Sequence, residues 1–278
     1  MTTLFVEPLA RVQIDYLTAK SEFSQTLSDF RAVIMVVSDM TTSTKDKTLA
    51  HFFDTIHRNQ QGNRDRFPER YDIIQRVDNC FAAAGKHLAD AKPIFTGPMF
   101  LRSQYAYKAA AGTTLAGQFS ESFVLMRSCL EYAGYAILIF TDPRLEEVFL
   151  NRHADEASKN TQRRTFGNID QISKAIAGFD QKLSEIFKDM YDRSIDFGAH
   201  PNPHAMIGSM NINKDDDEQL KNISTFALAV HPKVVEFAMH KVAQVGLTSL
   251  SIFEHMFTPQ FEMAGIRAEK DALKESGL

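Results

Sequence analysis

The sequence predicts an all-α fold: an antiparallel helical bundle with additional N-terminal helices and a small β-hairpin near residues 205–227. Two observations carry the helical part. Apolar residues recur at the i, i+3, i+4 spacing of one helix face along most of the 278 residues. Proline and glycine gather at a few breaks, Lys92-Pro93, Gly97-Pro98, Pro201 and Pro203 among them.

In chain order, Pro8 suits a first helical turn, and Leu9, Val12, Tyr16, Phe23, Leu27, Phe30, Ile34 and Val37 predict one long helix or two in series over 8–38. Cap formers at 39–44 place a new helix from Ser43 or Thr44 to about Gln60, with QQGNRDRF as a loop. Pro68 opens a helix to about Ala91, with Tyr71, Ile74, Val77, Phe81 and Leu88 on one face. The breaks at 92–98 divide an N-terminal helical region, 1–97, from a core at 98–257. Gly112 and Gly117 on the first core helix are read as allowing close helix approach.

The run FVLMRSCLEYAGYAILIF, residues 123–140, is long enough to suggest a membrane span. Arg127 and Glu131 stand inside it, and charges at that depth cost several kcal/mol in a bilayer. It is read as a fully buried central helix over 119–141. Asn168 and Asp180 begin helices to about Ala177 and Phe197. AMIGSMNIN and QLKNISTFAL, flanking NKDDDE, read as the hairpin or as an irregular excursion. Pro232 opens a helix to about Phe257, and 258–278 reads as a charged, frayed tail.

A net charge of −4 and a pI near 6.1 give no global basic field, so duplex-DNA binding is not expected. Single-stranded RNA met through a local patch remains open. The stretches Arg152–Arg164 and Arg58–Arg70 are such patches, or merely solvated helix faces. Cys80 and Cys129 match no metal or redox spacing and read as buried thiols. The N-terminus lacks a basic region followed by an apolar run, so a cytoplasmic protein with no membrane partner is expected. The 22 Phe and 11 Met read as core filling and not as a cofactor pocket; no cofactor is expected.

The strongest local pattern is YDRSIDFGAHPNPHAM, residues 191–206. Pro201 and Pro203 stop the helix and Gly198 breaks it. Arg193 therefore sits on its last turns, with His200 and His204 on the loop. A near-neutral imidazole can take a proton from a ribose 2′-hydroxyl, and a guanidinium can neutralise charge on a phosphorane-like transition state, with no metal required. The spacing alone has no weight: with 15 Arg and 9 His it is expected about 1.5 times by chance. Its placement at a helix end is what counts.

Arg127 and Glu131, one turn apart, are either an internal polar anchor or residues that orient the 196–204 loop and line its pocket. Asp196, His200 and His204 could hold zinc only from a loop, because Pro201 forbids a continuous helix. Asp196 and His204 thus join Arg127 and Glu131 as candidate binding residues, and no metal is assigned.

Arg-x4–6-His at a helix end in an all-α protein resembles the HEPN superfamily of RNases and their inactive relatives. LMRSCLE on one helix followed by YDRSIDFGAHPN on a later one is also similar to uncharacterised bacterial proteins with a HEPN-like core. The likeness covers about residues 98–257. It implies catalytic roles for Arg193 and His200, a homodimer with a composite site, and metal-independent RNA cleavage of toxin or defence kind. The sequence departs from the pattern at Ser194, where active members carry Asn, Asp or His, and its six-residue gap is the longest the motif allows. The other expectation is a non-catalytic helical binding or scaffold protein in which GAHPNPH is a structural cap.

Overall fold

A computed structural model describes residues 48–200, 205, 210–214, 220–225, 227–229, 232–275 and 278. The helix expected over 8–38, the cap at Ser43 or Thr44, and His204 lie outside them.

The described chain is helical, apart from two short strands. Helix α1 (Leu49–Arg66) is capped by the Thr48 side chain, which accepts from the His51 N–H. It runs through QQGNRDR of the segment QQGNRDRF, where a loop was expected, with Phe67 as its C-cap. Those residues look loop-like because they are polar, yet their polarity is how the helix docks. Asn59 and Asn63 donate to the Ala116 and Leu115 carbonyls at 2.9 and 2.8 Å, and Gln60 donates to that of Gly112 at 3.0 Å.

Helix α2 (Pro68–Gly85) buries Ile74, Val77, Cys80, Phe81 and Ala84. It ends earlier than expected, although Leu88 and Ala91 stay buried in the turns that follow. Helix α3 (Thr96–Ala116) stops at Gly117, whose φ of 85° is the left-handed cap that glycine adopts without penalty. The Tyr107 hydroxyl on α3 donates to the Ile74 carbonyl at 2.9 Å, so α2 and α3 share one core.

Helix α4 (Phe119–Thr141) is the central element, but it is not fully buried. Met126, Cys129, Leu130, Ala133, Ala136 and Ile137 are inside, while Glu121 and Val124 reach solvent. It is long and apolar enough to cross a membrane by length and composition.

Short helix α5 (Leu145–Leu150), a 3₁₀ turn (Asn151–His153) and α6 (Glu156–Phe166) lead to α7 (Ile169–Ala177) and α8 (Gln181–Ser194). Asn168 and Asp180 cap α7 and α8 as their sequence positions indicate. Strands β1 (Met210–Lys214) and β2 (Leu220–Thr225) pair antiparallel, with Ile212 opposite Ile223. Helix α9 (Pro232–Met256) completes the main core.

Close helix approach occurs at glycines other than Gly112. A Cβ at Gly134 on α4 would stand 2.8 Å from Ile172 of α7 and 3.2 Å from Phe187 of α8. One at Gly246 on α9 would stand 2.4 Å from the Tyr107 ring.

The tail expected to fray forms α10 (Thr258–Met263) and α11 (Arg267–Glu275). Phe261 and Leu273 are buried, and Lys270 is 1% exposed with its ammonium bonded to Glu254 of α9. Both cysteines are buried, and burial pushes each thiol up to about 11, so neither is a nucleophile near neutral pH.

Candidate functional site

Apolar packing sets the angle at which α8 meets α4. Leu183, Ser184, Phe187, Met190 and Tyr191 form the buried face of α8, laid against the central helix beside α7. A phenol on such a face needs a partner for its hydroxyl, and α4 supplies two. Tyr191 Oη accepts from Arg127 Nη2 at 2.8 Å and donates to Glu131 Oε1 at 3.2 Å. Arg127 Nε donates to the same carboxylate oxygen at 2.9 Å. The guanidinium also lies over the Tyr191 ring, 4.9 Å from its centroid.

After Ser194 the backbone widens into a single π turn, Ile195–Ala199, before His200 turns extended. Two contacts seat that turn against the start of α4. Phe197 packs among Phe119, Phe123 and Phe237, with ring centroids 5.0–6.0 Å away. Gly198 lies so close to α4 that a Cβ there would be 2.2 Å from the Ser120 carbonyl oxygen. The turn delivers exposed His200 to Arg127, whose Nη1 stands 2.6 Å from His200 Nε2. Arginine only donates, so Nε2 accepts, which assigns the proton of the neutral ring to Nδ1.

Four side chains separated by up to 73 residues therefore form one centre, Arg127–Glu131–Tyr191–His200. Burial works against the Arg127 charge, but Glu131 and Tyr191 outweigh it and hold the guanidinium above its ordinary range. Burial, then the Glu131 carboxylate, raises the Tyr191 hydroxyl, and the same two causes push neighbouring Tyr135 up to about 12. Both phenols remain protonated at physiological pH.

The sequence pairing of Arg127 with Glu131 is present, and of the 196–204 segment His200 meets Arg127, while residues 201–204 lie outside the described residues. Among the described contacts, Arg127 is a cation that reaches His200. Arg193, the cation expected from the spacing, forms an ion pair with Asp189 at 2.7 Å on α8. Lys241 of α9 is lowered by burial and then by the charge of Arg193. Asp196 is half-buried in the π turn. Ser194 is 1% exposed and donates to the Tyr191 carbonyl at 2.6 Å, so at the position where the resemblance expects Asn, Asp or His it locks the helix end. Among the described residues no group of three His, Cys, Asp or Glu side chains is placed to share a metal ion. Tyr191 went unread; its signal was a polar tip on an otherwise apolar face.

Glu131→Ala is expected to lower stability by about 1–3 kcal/mol, below the ~3–5 kcal/mol of a fully buried pair, because the Arg127 and Glu131 side chains are 20% and 29% exposed. Tyr191→Phe should cost about 1 kcal/mol, the loss of a buried hydrogen bond. Thermal melts of both variants at neutral pH check this, and an unchanged midpoint for Glu131→Ala would end the anchor role.

No protein-family model, curated protein or solved structure matches this chain.

Proposed function

We propose that this is a HEPN-like, cytoplasmic, metal-independent endoribonuclease of toxin or defence kind, acting as a homodimer on single-stranded RNA. The reading rests on one observation: an exposed imidazole held against a guanidinium that a carboxylate and a phenol already orient. In the free protein Arg127 occupies His200 Nε2. When a phosphate oxygen takes the Arg127 N–H, Nε2 is freed to accept the proton of the ribose 2′-hydroxyl. The 2′-oxygen attacks phosphorus as Arg127 offsets the added negative charge. The bond to the 5′-oxygen breaks, and the proton held by His200 passes to that leaving group. Arg127 thus fills the role that the sequence pattern gives to Arg193.

A second reading, a non-catalytic binding or scaffold protein whose loop is a structural cap, is favoured by the closure of the network. Guanidinium nitrogens Nε, Nη1 and Nη2 each already have a partner.

Cleavage of single-stranded RNA in the presence of EDTA separates the two. The nuclease reading expects products ending in 2′,3′-cyclic phosphate and a loss of about 10²–10⁴-fold in His200→Ala, with a melting temperature near wild type. Arg193→Ala is expected to retain most of the rate. Purified dimer that cuts no RNA, together with a His200→Ala variant of lowered melting temperature, establishes the scaffold reading instead.

A further inference from the structure

We propose that α1 carries a subsite for the sugar–phosphate backbone of single-stranded RNA, a recess formed by Thr55, Arg58, Asn59, Gly62, Asn63 and Arg66. This rests on the RNA-cleaving function proposed above. The recess has a volume of about 360 Å³, at the lower end of the range for small-ligand sites. Its lining residues carry guanidinium, amide and hydroxyl groups, which suit a polar, anionic ligand.

The helical spacing explains the geometry. Arg58, Gly62 and Arg66 fall four residues apart and make one stripe, while Thr55, Asn59 and Asn63 make the stripe beside it. A guanidinium therefore stands at each end of a floor that has no side chain at its middle. Arg58 reaches Thr55 Oγ1 at 3.2 Å, and no carboxylate pairs with Arg58 or Arg66 among the described residues. Asp54 and Asp65 lie outside the lining. The amide nitrogens of Asn59 and Asn63 are spent on α3 carbonyls. Their oxygens are reached by no described donor.

Gly62 is a separate observation pointing to the same ligand. A glycine inside a helix costs stability, and a close packing contact is the common reason to keep one. At exposed Gly62 a Cβ would find nothing within 4 Å among the described residues. The bare floor leaves the backbone between Arg58 and Arg66 open to close approach by a ligand.

Placement links the recess to the proposed centre. Asn59 and Asn63 hold α1 on Ala116 and Leu115, and Gly198 holds the His200 turn on Ser120. Both the helix that carries the recess and the turn that carries His200 are pinned to the same α3–α4 corner.

The test uses a fluorescein-labelled 2′-O-methyl oligonucleotide, which binds but lacks the nucleophile, followed by anisotropy across a salt series. Wild type is expected to bind with an affinity that falls with salt. Arg58→Ala/Arg66→Ala should weaken binding at least 10-fold and flatten the log–log salt slope by about 1.4, the value for two phosphate contacts on a single strand. Gly62→Leu should weaken binding while leaving the melting temperature equal or higher, which a merely structural glycine would not do. Equal binding by the double variant, or no binding by wild type, overturns the subsite. If the variants lose binding as expected but no RNA is cut by wild type, the subsite stands and the cleavage reading falls.

Discussion

Glu254→Ala is expected to lower the free energy of unfolding by about 3–5 kcal/mol, a fall in melting temperature of roughly 10 °C for a chain of this size. The magnitude follows from Lys270. Its side chain is 1% exposed, it bonds Glu254 Oε2, and its ammonium stands 5.7 Å from the centroid of the Phe261 ring. Removing the carboxylate leaves an ammonium among apolar groups with water excluded. Glu254→Ala/Lys270→Met should recover most of the loss, because the cost is the stranded charge and not the missing pair. Calorimetry on the three proteins checks both statements. A Glu254→Ala melt that matches wild type would mean that the pair does not hold α11 to α9.

The same pair sets an acid limit. Burial works against the Glu254 carboxylate, but the bonded Lys270 ammonium outweighs it and holds the carboxyl below its ordinary 4.5. A depressed carboxyl contributes stability that is complete above the unfolded value and lost as pH falls through the folded one. Wild type should therefore lose stability below about pH 4.5 more steeply than Glu254→Ala. Lys270 is lowered because burial dominates there, so its linkage acts only in the alkaline range, where it adds stability as pH rises.

That clamp shows where sequence reading stops. The bounds of α4 were legible because Gly117-Gln118 and Asp142-Pro143 bracket an apolar run, and α7 and α8 were legible from the caps at Asn168 and Asp180. Helix α11 was not, because KDALKESGL is charged and its one buried cation is satisfied by a residue 16 positions earlier. The polar half of α1 was missed for the same reason: its partners are carbonyls of α3, 52–57 residues away. At the site, the helix end and loop around Gly198 were readable locally. The Arg127–His200 contact was not, since it joins positions 73 residues apart through the packing of α8 on α4.

Gly198→Ala should sever that meeting. The added Cβ would lie 2.2, 2.7 and 2.8 Å from the Ser120 carbonyl oxygen, carbonyl carbon and Cα, all backbone within a packed helix. No rotamer relieves such a contact, so the π turn itself must move. Phe197, fixed among Phe119, Phe123 and Phe237, opposes any movement away from α4. Overpacking of this kind costs about 1–3 kcal/mol. The displaced turn carries His200 away from Arg127, since a 2.6 Å contact does not survive a shift of an ångström. If the centre is catalytic, Gly198→Ala loses RNA cleavage to the extent that His200→Ala does, about 10²–10⁴-fold, even at temperatures where it remains folded. The two variants then differ in one respect: His200→Ala keeps its melting temperature and Gly198→Ala does not. Wild-type melting and wild-type cleavage in Gly198→Ala would show that the turn tolerates a side chain, and with it the link between Gly198, the seat of the loop and the placement of His200 would fail.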